Sequence, residues 1–160
     1  MAGKTLTPLR AILYGGIAAA ALDILDPIIY YGLKGAAPVQ ILQSVASGLL
    51  GPTAAHAGGW GTGLLGLGLH TAIMLVIAAI FILAAHALPI LKRLWFISGP
   101  LYGLGVYFVM NYLVVPMSAA HGKPPSKPEV IVNLLFAHMI LVGLTLGYFA
   151  GRTRILQTPA

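Results

Sequence analysis

The chain predicts an all-α membrane protein: a four-helix transmembrane bundle with one additional short interfacial helix, folded as a single transmembrane domain over residues 1–160. Three observations lead there. Hydrophobic residues fill 59% of the 160 positions and charged residues only 8%, against roughly 25% charged in a soluble domain, so a water-exposed surface could not be covered. Four apolar stretches each approach the about 20 residues that cross a bilayer core. Lys and Arg sit singly or in pairs at the ends of those stretches, where they set topology.

The first span covers about residues 11–31, with Pro27 near its far end. Lys4 and Arg10 ahead of an apolar run also suit a secretory signal. The run continues past its Ala-rich patch to Tyr31, which favours a retained helix. Residues 32–61 are too polar and broken to span. Within them, Pro38–Leu50 has helical period, with Ile41, Leu42, Val45 and Leu49 on one side and Gln40, Gln43, Ser44 and Ser47 on the other. Gly51-Pro52 stops it, and it reads as a helix lying in the interface or re-entering it. The second span covers about 62–85, followed by a tight link over 86–93 with Pro89, Lys92 and Arg93. The third covers about 94–115 and ends at Pro116. A polar loop with Lys123 and Lys127 leads to the fourth, about 129–150, followed by Arg152 and Arg154.

Four spans place both ends of the chain on one side. If that side is the cytoplasm it gathers Lys4, Arg10, Lys92, Arg93, Arg152 and Arg154, against Lys34, Lys123 and Lys127 opposite, which satisfies the positive-inside rule. Trp60, Tyr30 and Tyr31 then belong to an outer aromatic belt, and Trp95, Tyr14, Tyr102 and Tyr148 to an inner one. The same scatter of basic residues argues against nucleic acid as a partner despite a net charge of +6. With no cysteine, disulfides, thiolate metal sites and cysteine nucleophiles are excluded.

The chemistry centres on the first span. Two of the three acidic residues, Asp23 and Asp26, stand there three positions apart, on one helix face. Ionisable groups at membrane depth are costly and usually face a bundle interior or cavity. Pro27 removes the helical bond to the Asp23 carbonyl, and a freed carbonyl beside a carboxylate suits a cation, a proton relay or a water. The plain alternative is a pair of hydrogen-bonded structural carboxyls.

Leu13-Tyr14-Gly15 matches Leu101-Tyr102-Gly103, and a polar residue follows each tyrosine by nine positions, Asp23 and Asn111. The second and fourth spans each carry one histidine, His70 and His138, so the chain reads as two related helical hairpins. Parallel repeats of this kind occur in transporters. His70 and His138 fall roughly 12–14 Å in from the outer side at 1.5 Å per residue. Asp23 and Asn111 fall roughly 18–26 Å from the inner side, in a core of about 30 Å. Asp23, Asp26, His70, Asn111 and His138 therefore form one candidate ligand- or ion-binding cluster.

Singly, His70 and His138 read as packing histidines. As a pair they suit a divalent metal or axial haem ligation, although no C-x-x-C-H and no i,i+4 histidine pair supports haem. His56, His86 and His121 read as solvated or interfacial, and Asn111 and Asn133 as interhelical hydrogen-bonding groups. Rows of small residues, Gly58-Thr62-Gly66-His70, Gly143-Gly147-Gly151 and Gly99-Gly103, allow close helix approach, either within the bundle or in a homo-oligomer or larger membrane complex.

The run Gln40-Ile41-Leu42-Gln43-Ser44-Val45-Ala46-Ser47-Gly48-Leu49-Leu50-Gly51, with Gly58-Gly59-Trp60, Leu69-His70 and Val109-Met110-Asn111-Tyr112, resembles an uncharacterised family of four-helix bacterial inner-membrane proteins. The resemblance implies the fold and an inner-membrane location and carries no activity. A looser similarity in size and layout to YagU-type inner-membrane proteins adds nothing to function. The expected function is non-enzymatic: a membrane protein holding a small ligand, ion or proton at the Asp/His cluster as a transporter-like or accessory subunit. The alternatives are a purely structural subunit of a membrane complex and a haem- or metal-binding redox protein using His70 and His138.

Overall fold

The computed structural model describes residues 5–153; Lys4 and Arg154, used in the topology argument, lie outside the described residues. All its named elements are helices: α1 (Pro8–Gly32), α2 (Pro38–Leu50), α3 (Pro52–Ala57), α4 (Gly59–Ala87), α5 (Pro89–Arg93), α6 (Trp95–Met117) and α7 (Pro128–Gly151). Four of them, α1, α4, α6 and α7, are long and apolar enough to cross a membrane. Each outruns the span read from hydropathy, because proline at the first turn, caps and link residues continue the helix beyond its apolar run. At the start of α1, Pro8 sits in the first turn and Thr7 Oγ1 accepts from Arg10 N at 3.3 Å, satisfying one of the orphan donors of the helix end.

The two described ends of the chain meet. Leu6 N donates to the Arg152 carbonyl at 2.9 Å, which ties the start of α1 to the end of α7. Small residues on α1 (Ala11, Gly15, Gly16, Ala19, Ala20) are buried, whereas Ile17 and Ile29 are more than half exposed. In a chain of this composition such exposed apolar side chains face lipid.

The links hold more structure than the sequence reading allowed. Gly51, at φ +78, a backbone region open to glycine, ends α2, and Pro52 starts α3 directly. The burial of α2 is also rotated from the expected one. Its buried residues are Leu42, Gln43, Ala46 and Ser47, while Leu49 is 60% exposed. Gln43 Nε2 donates to Gly59 O at 2.9 Å, and His56 Nδ1 lies 3.3 Å from Gln43 Oε1. Thr62 Oγ1 donates to Ala55 O at 2.6 Å. A polar side chain near hydrocarbon must find its partner in protein, so the glutamine edge turns inward and part of the leucine edge outward.

The link between α4 and α6 likewise departs from a solvated loop. His86 lies in the last turn of α4, and Lys92 Nζ, from α5, donates to its Nδ1 at 2.9 Å. Lys92 is buried, and burial pushes its amine below the ordinary lysine range.

The glycine rows pack within the bundle. A Cβ at Gly99 would strike the carbonyl of Gly143, one at Gly103 the carbonyl of His138, and one at Gly147 the carbonyl of Trp95. On α4, a Cβ at Gly66 would strike Leu42 O. Here α6 meets α7, and α4 meets α2, backbone against backbone. Gly99→Ala is therefore expected to destabilise the protein by about 1–3 kcal/mol, the range for inserting a methyl into a filled contact. Unfolding in mixed micelles measures it; Gly105→Ala, which meets nothing within 4 Å, serves as the neutral control.

Candidate functional site

The polar side chains of the spans gather in one half of the bundle. On α1 the sequence passes from buried Ala11, Ala19 and Ala20 to Asp23 and Asp26. α4 runs the opposite way, from His70 to Met74, Ile77, Ala78, Phe81, Ile82 and Ala85. On α7, Asn133 and His138 precede Val142, Leu146 and Ala150. The half nearer the chain ends holds one apolar cluster; Asp23, Asp26, His70, Asn111, Asn133 and His138 lie beyond it.

The central contact joins α4 to α1. His70 Nε2 lies 3.0 Å from Ala20 O; a carbonyl only accepts, so Nε2 carries the proton. Asp23 Oδ2 lies 3.9 Å from the same nitrogen, with the histidine side chain 11% exposed and the aspartate side chain 17%. One imidazole thus faces two acceptors on successive turns of α1. Asp23 has His138, His70 and Asp26 as its ionisable neighbours. Pro27 lies inside α1 and cannot supply the amide that would bond the Asp23 carbonyl.

Asp26 has a partner of its own, since Asn133 Nδ2 donates to Asp26 Oδ2 at 2.6 Å. This bond ties α1 to α7 across 107 residues of sequence. The sequence marked Asn133 only as a generic interhelical group. Its signal was the lack of any basic residue at that depth to meet a second carboxyl.

Two predicted members turn partly to their own helices. Asn111 Nδ2 donates to Tyr107 O at 2.9 Å, and His138 Nδ1 donates to Leu134 O at 2.8 Å. Each is the second residue of a π-helical segment, Met110–Val114 in α6 and Ala137–Leu144 in α7. The same carbonyls accept a tight bond from Met110 N and Ala137 N, just before the register widens to i→i+5. The side chain supplies a second donor where that register changes.

The repeat equivalents therefore sit in different surroundings: Asp23 faces His70 across a helix pair, whereas Asn111 bonds within α6. Tyr14 is 55% exposed, whereas Tyr102, expected in the inner aromatic belt, donates to Ile77 O at 2.8 Å inside the bundle.

Both histidines use one ring nitrogen on a carbonyl, which in the neutral ring leaves His70 Nδ1 and His138 Nε2 as lone-pair donors. Metal-binding histidines are commonly held this way. Among the described residues, however, no three His, Cys, Asp or Glu side chains are arranged to hold a metal ion. His138 packs edge-to-face on Tyr107, centroids 5.9 Å apart. No protein-family model, curated protein or solved structure matches the chain.

The Asp26–Asn133 bond is expected to stabilise the bundle by about 0.6 to about 1.7 kcal/mol, the range measured for interhelical bonds in membranes. A double-mutant cycle of Asp26→Ala and Asn133→Ala in mixed micelles reads this coupling. Pairing Asp26→Ala with Asn111→Ala should show none.

Proposed function

We propose that the protein is a small, non-enzymatic integral membrane protein that binds a proton at Asp23 and His70, as a transporter-like or accessory subunit. The observation that carries this reading is the placement of an ionisable acid 3.9 Å from an ionisable imidazole inside a membrane-spanning bundle. Intramembrane ionisable pairs are expensive to maintain and mark proton or ion sites. The imidazole is held by the Ala20 carbonyl whichever way the Asp23 proton resides, so a proton can come and go without releasing α4 from α1. Asp26 and Asn133 then act as positioning groups that tie α1 to α7 beside the pair, while Asn111 and His138 brace the π-helical segments of α6 and α7. The orientation with both ends cytoplasmic, in a bacterial inner membrane, belongs to the same proposal and rests on the basic residues at the link and ends.

A structural reading draws on the hydrogen bonds of Asp26, Asn111 and His138, each of which has a packing partner. The haem or metal reading would draw on the lone pairs at His70 Nδ1 and His138 Nε2; a visible spectrum with elemental analysis of detergent-purified protein tests it, and a coloured or metal-loaded preparation would favour it over the proton.

The direct test is an infrared pH titration of the purified protein in lipid, following the protonated-carboxyl stretch. Wild type is expected to show a titrating carboxyl that disappears in Asp23→Asn and shifts its midpoint in His70→Ala, with helical content unchanged by circular dichroism. A titration that Asp23→Asn leaves untouched would overturn the reading, as would loss of helical content in both variants with no titrating carboxyl in wild type.

A further inference from the structure

We infer that the Asp23–His70 cluster is reached only from the side of the membrane opposite the described ends of the chain, along the face of α1 that carries Asp26 and Tyr30 and past Lys34 in the turn that follows the helix. The inference takes from the proton-binding reading what travels this route, and takes its direction from packing alone. Asp23, Asp26 and Tyr30 stand at steps of three and four residues, the spacing of one helical face; α1 ends at Gly32, and Lys34 lies in the turn beyond it. The route therefore runs from the acids to the end of the helix.

Two observations lie along it. The Tyr30 hydroxyl is buried and has no hydrogen-bond partner. A buried hydroxyl is ordinarily paired with protein or ordered water, and this one lies one turn beyond Asp26. Lys34 Nζ then sits 3.7 Å from the centre of the Tyr30 ring, a cation held over the aromatic face at the mouth. A water between Tyr30 and the acids would satisfy the hydroxyl and link it to the polar side chains of the cluster.

The opposite direction is closely packed and apolar. Below the Ala20–His70 contact, Ala19, Ala78, Ile82, Val142 and Leu146 are fully buried at or close to 0% exposure. Phe81 and Tyr102 pack with ring centroids 4.7 Å apart, and the Tyr102 hydroxyl is already bonded to Ile77 O. The α6–α7 seam at Gly99, Gly143 and Gly147 closes backbone to backbone. A water column through that half would need donors and acceptors that these residues do not offer.

The absence of cysteine from the chain makes a direct test available, because one introduced cysteine is the sole thiol. Single variants are labelled with a charged, membrane-impermeant methanethiosulfonate in sealed vesicles of each orientation. Ser126→Cys reports the α6–α7 loop side and Arg152→Cys the side of the chain ends. Tyr30→Cys and Asp23→Cys are expected to react from the Ser126 side and not from the Arg152 side, and Ala78→Cys from neither. Asn133→Cys replaces Asp23→Cys if that variant does not accumulate.

Reaction of the cluster cysteine from the Arg152 side, or from neither side while Tyr30→Cys reacts, would overturn the inference. Reaction of Ala78→Cys from the Arg152 side would do the same. This outcome is separable from the proton reading. One-sided labelling with no titrating Asp23 carboxyl removes the proton and keeps the route. Labelling from the Arg152 side with a titrating carboxyl removes the route and keeps the proton.

Discussion

Hydrocarbon offers neither donors nor acceptors, so every polar group inside the bundle must be satisfied by protein or by water that the protein admits. That constraint accounts for most of the internal contacts. It places the His70 ring against the Ala20 carbonyl and the Asn133 amide against the Asp26 carboxylate. It also turns the Gln43 edge of α2 toward Gly59 and the Tyr102 hydroxyl toward Ile77. The apolar side chains that would make a core in water instead cover the outside, as the exposure of Ile17, Leu64, Ile80 and Leu101 shows.

The same constraint divides the bundle into two halves with different physics. Toward the chain ends, alanine and glycine let helices touch along their backbones, and dispersion contacts together with the Tyr102–Ile77 bond hold them. Toward the opposite side, Pro27 removes one helical bond inside α1, and α6 and α7 each widen into a π-helical segment. Such segments recur where helices serve a site. Here they coincide with the polar side chains: Asn111 and His138 each stand second in their segment and donate back to the carbonyl four residues earlier. Close helix contact runs through both halves: Gly103 meets the His138 carbonyl and Gly66 the Leu42 carbonyl beside the polar groups.

The four spans were legible because a chain with 8% charge has few other ways to fold, and the short helix at Pro38–Leu50 was legible from its periodicity and its Gly51-Pro52 stop. Which face of that helix is buried was not, because the rule that apolar residues go inward reverses where the surroundings are lipid. The acids and histidines could be placed at one depth by counting residues. Their pairing could not, since it depends on rotation about each helix axis: Asn133 rather than Asn111 meets the α1 acids, and Asn111 bonds within α6. The π-helical segments left no periodic trace, being a one-residue change of register in an apolar run. The Lys92–His86 contact was hidden because residues in a short charged link are ordinarily solvated.

The proton reading turns on His70 standing between Ala20 O and Asp23 with its proton on Nε2. The most direct measurement is nitrogen NMR of the histidine rings in lipid bilayers, with His70 assigned by substitution. The account predicts a neutral ring at high pH that is protonated at Nε2, with that proton in through-space contact with the Ala20 carbonyl. A ring protonated at Nδ1 in its neutral form, or an Nε2 proton with no contact to the Ala20 carbonyl, would contradict it.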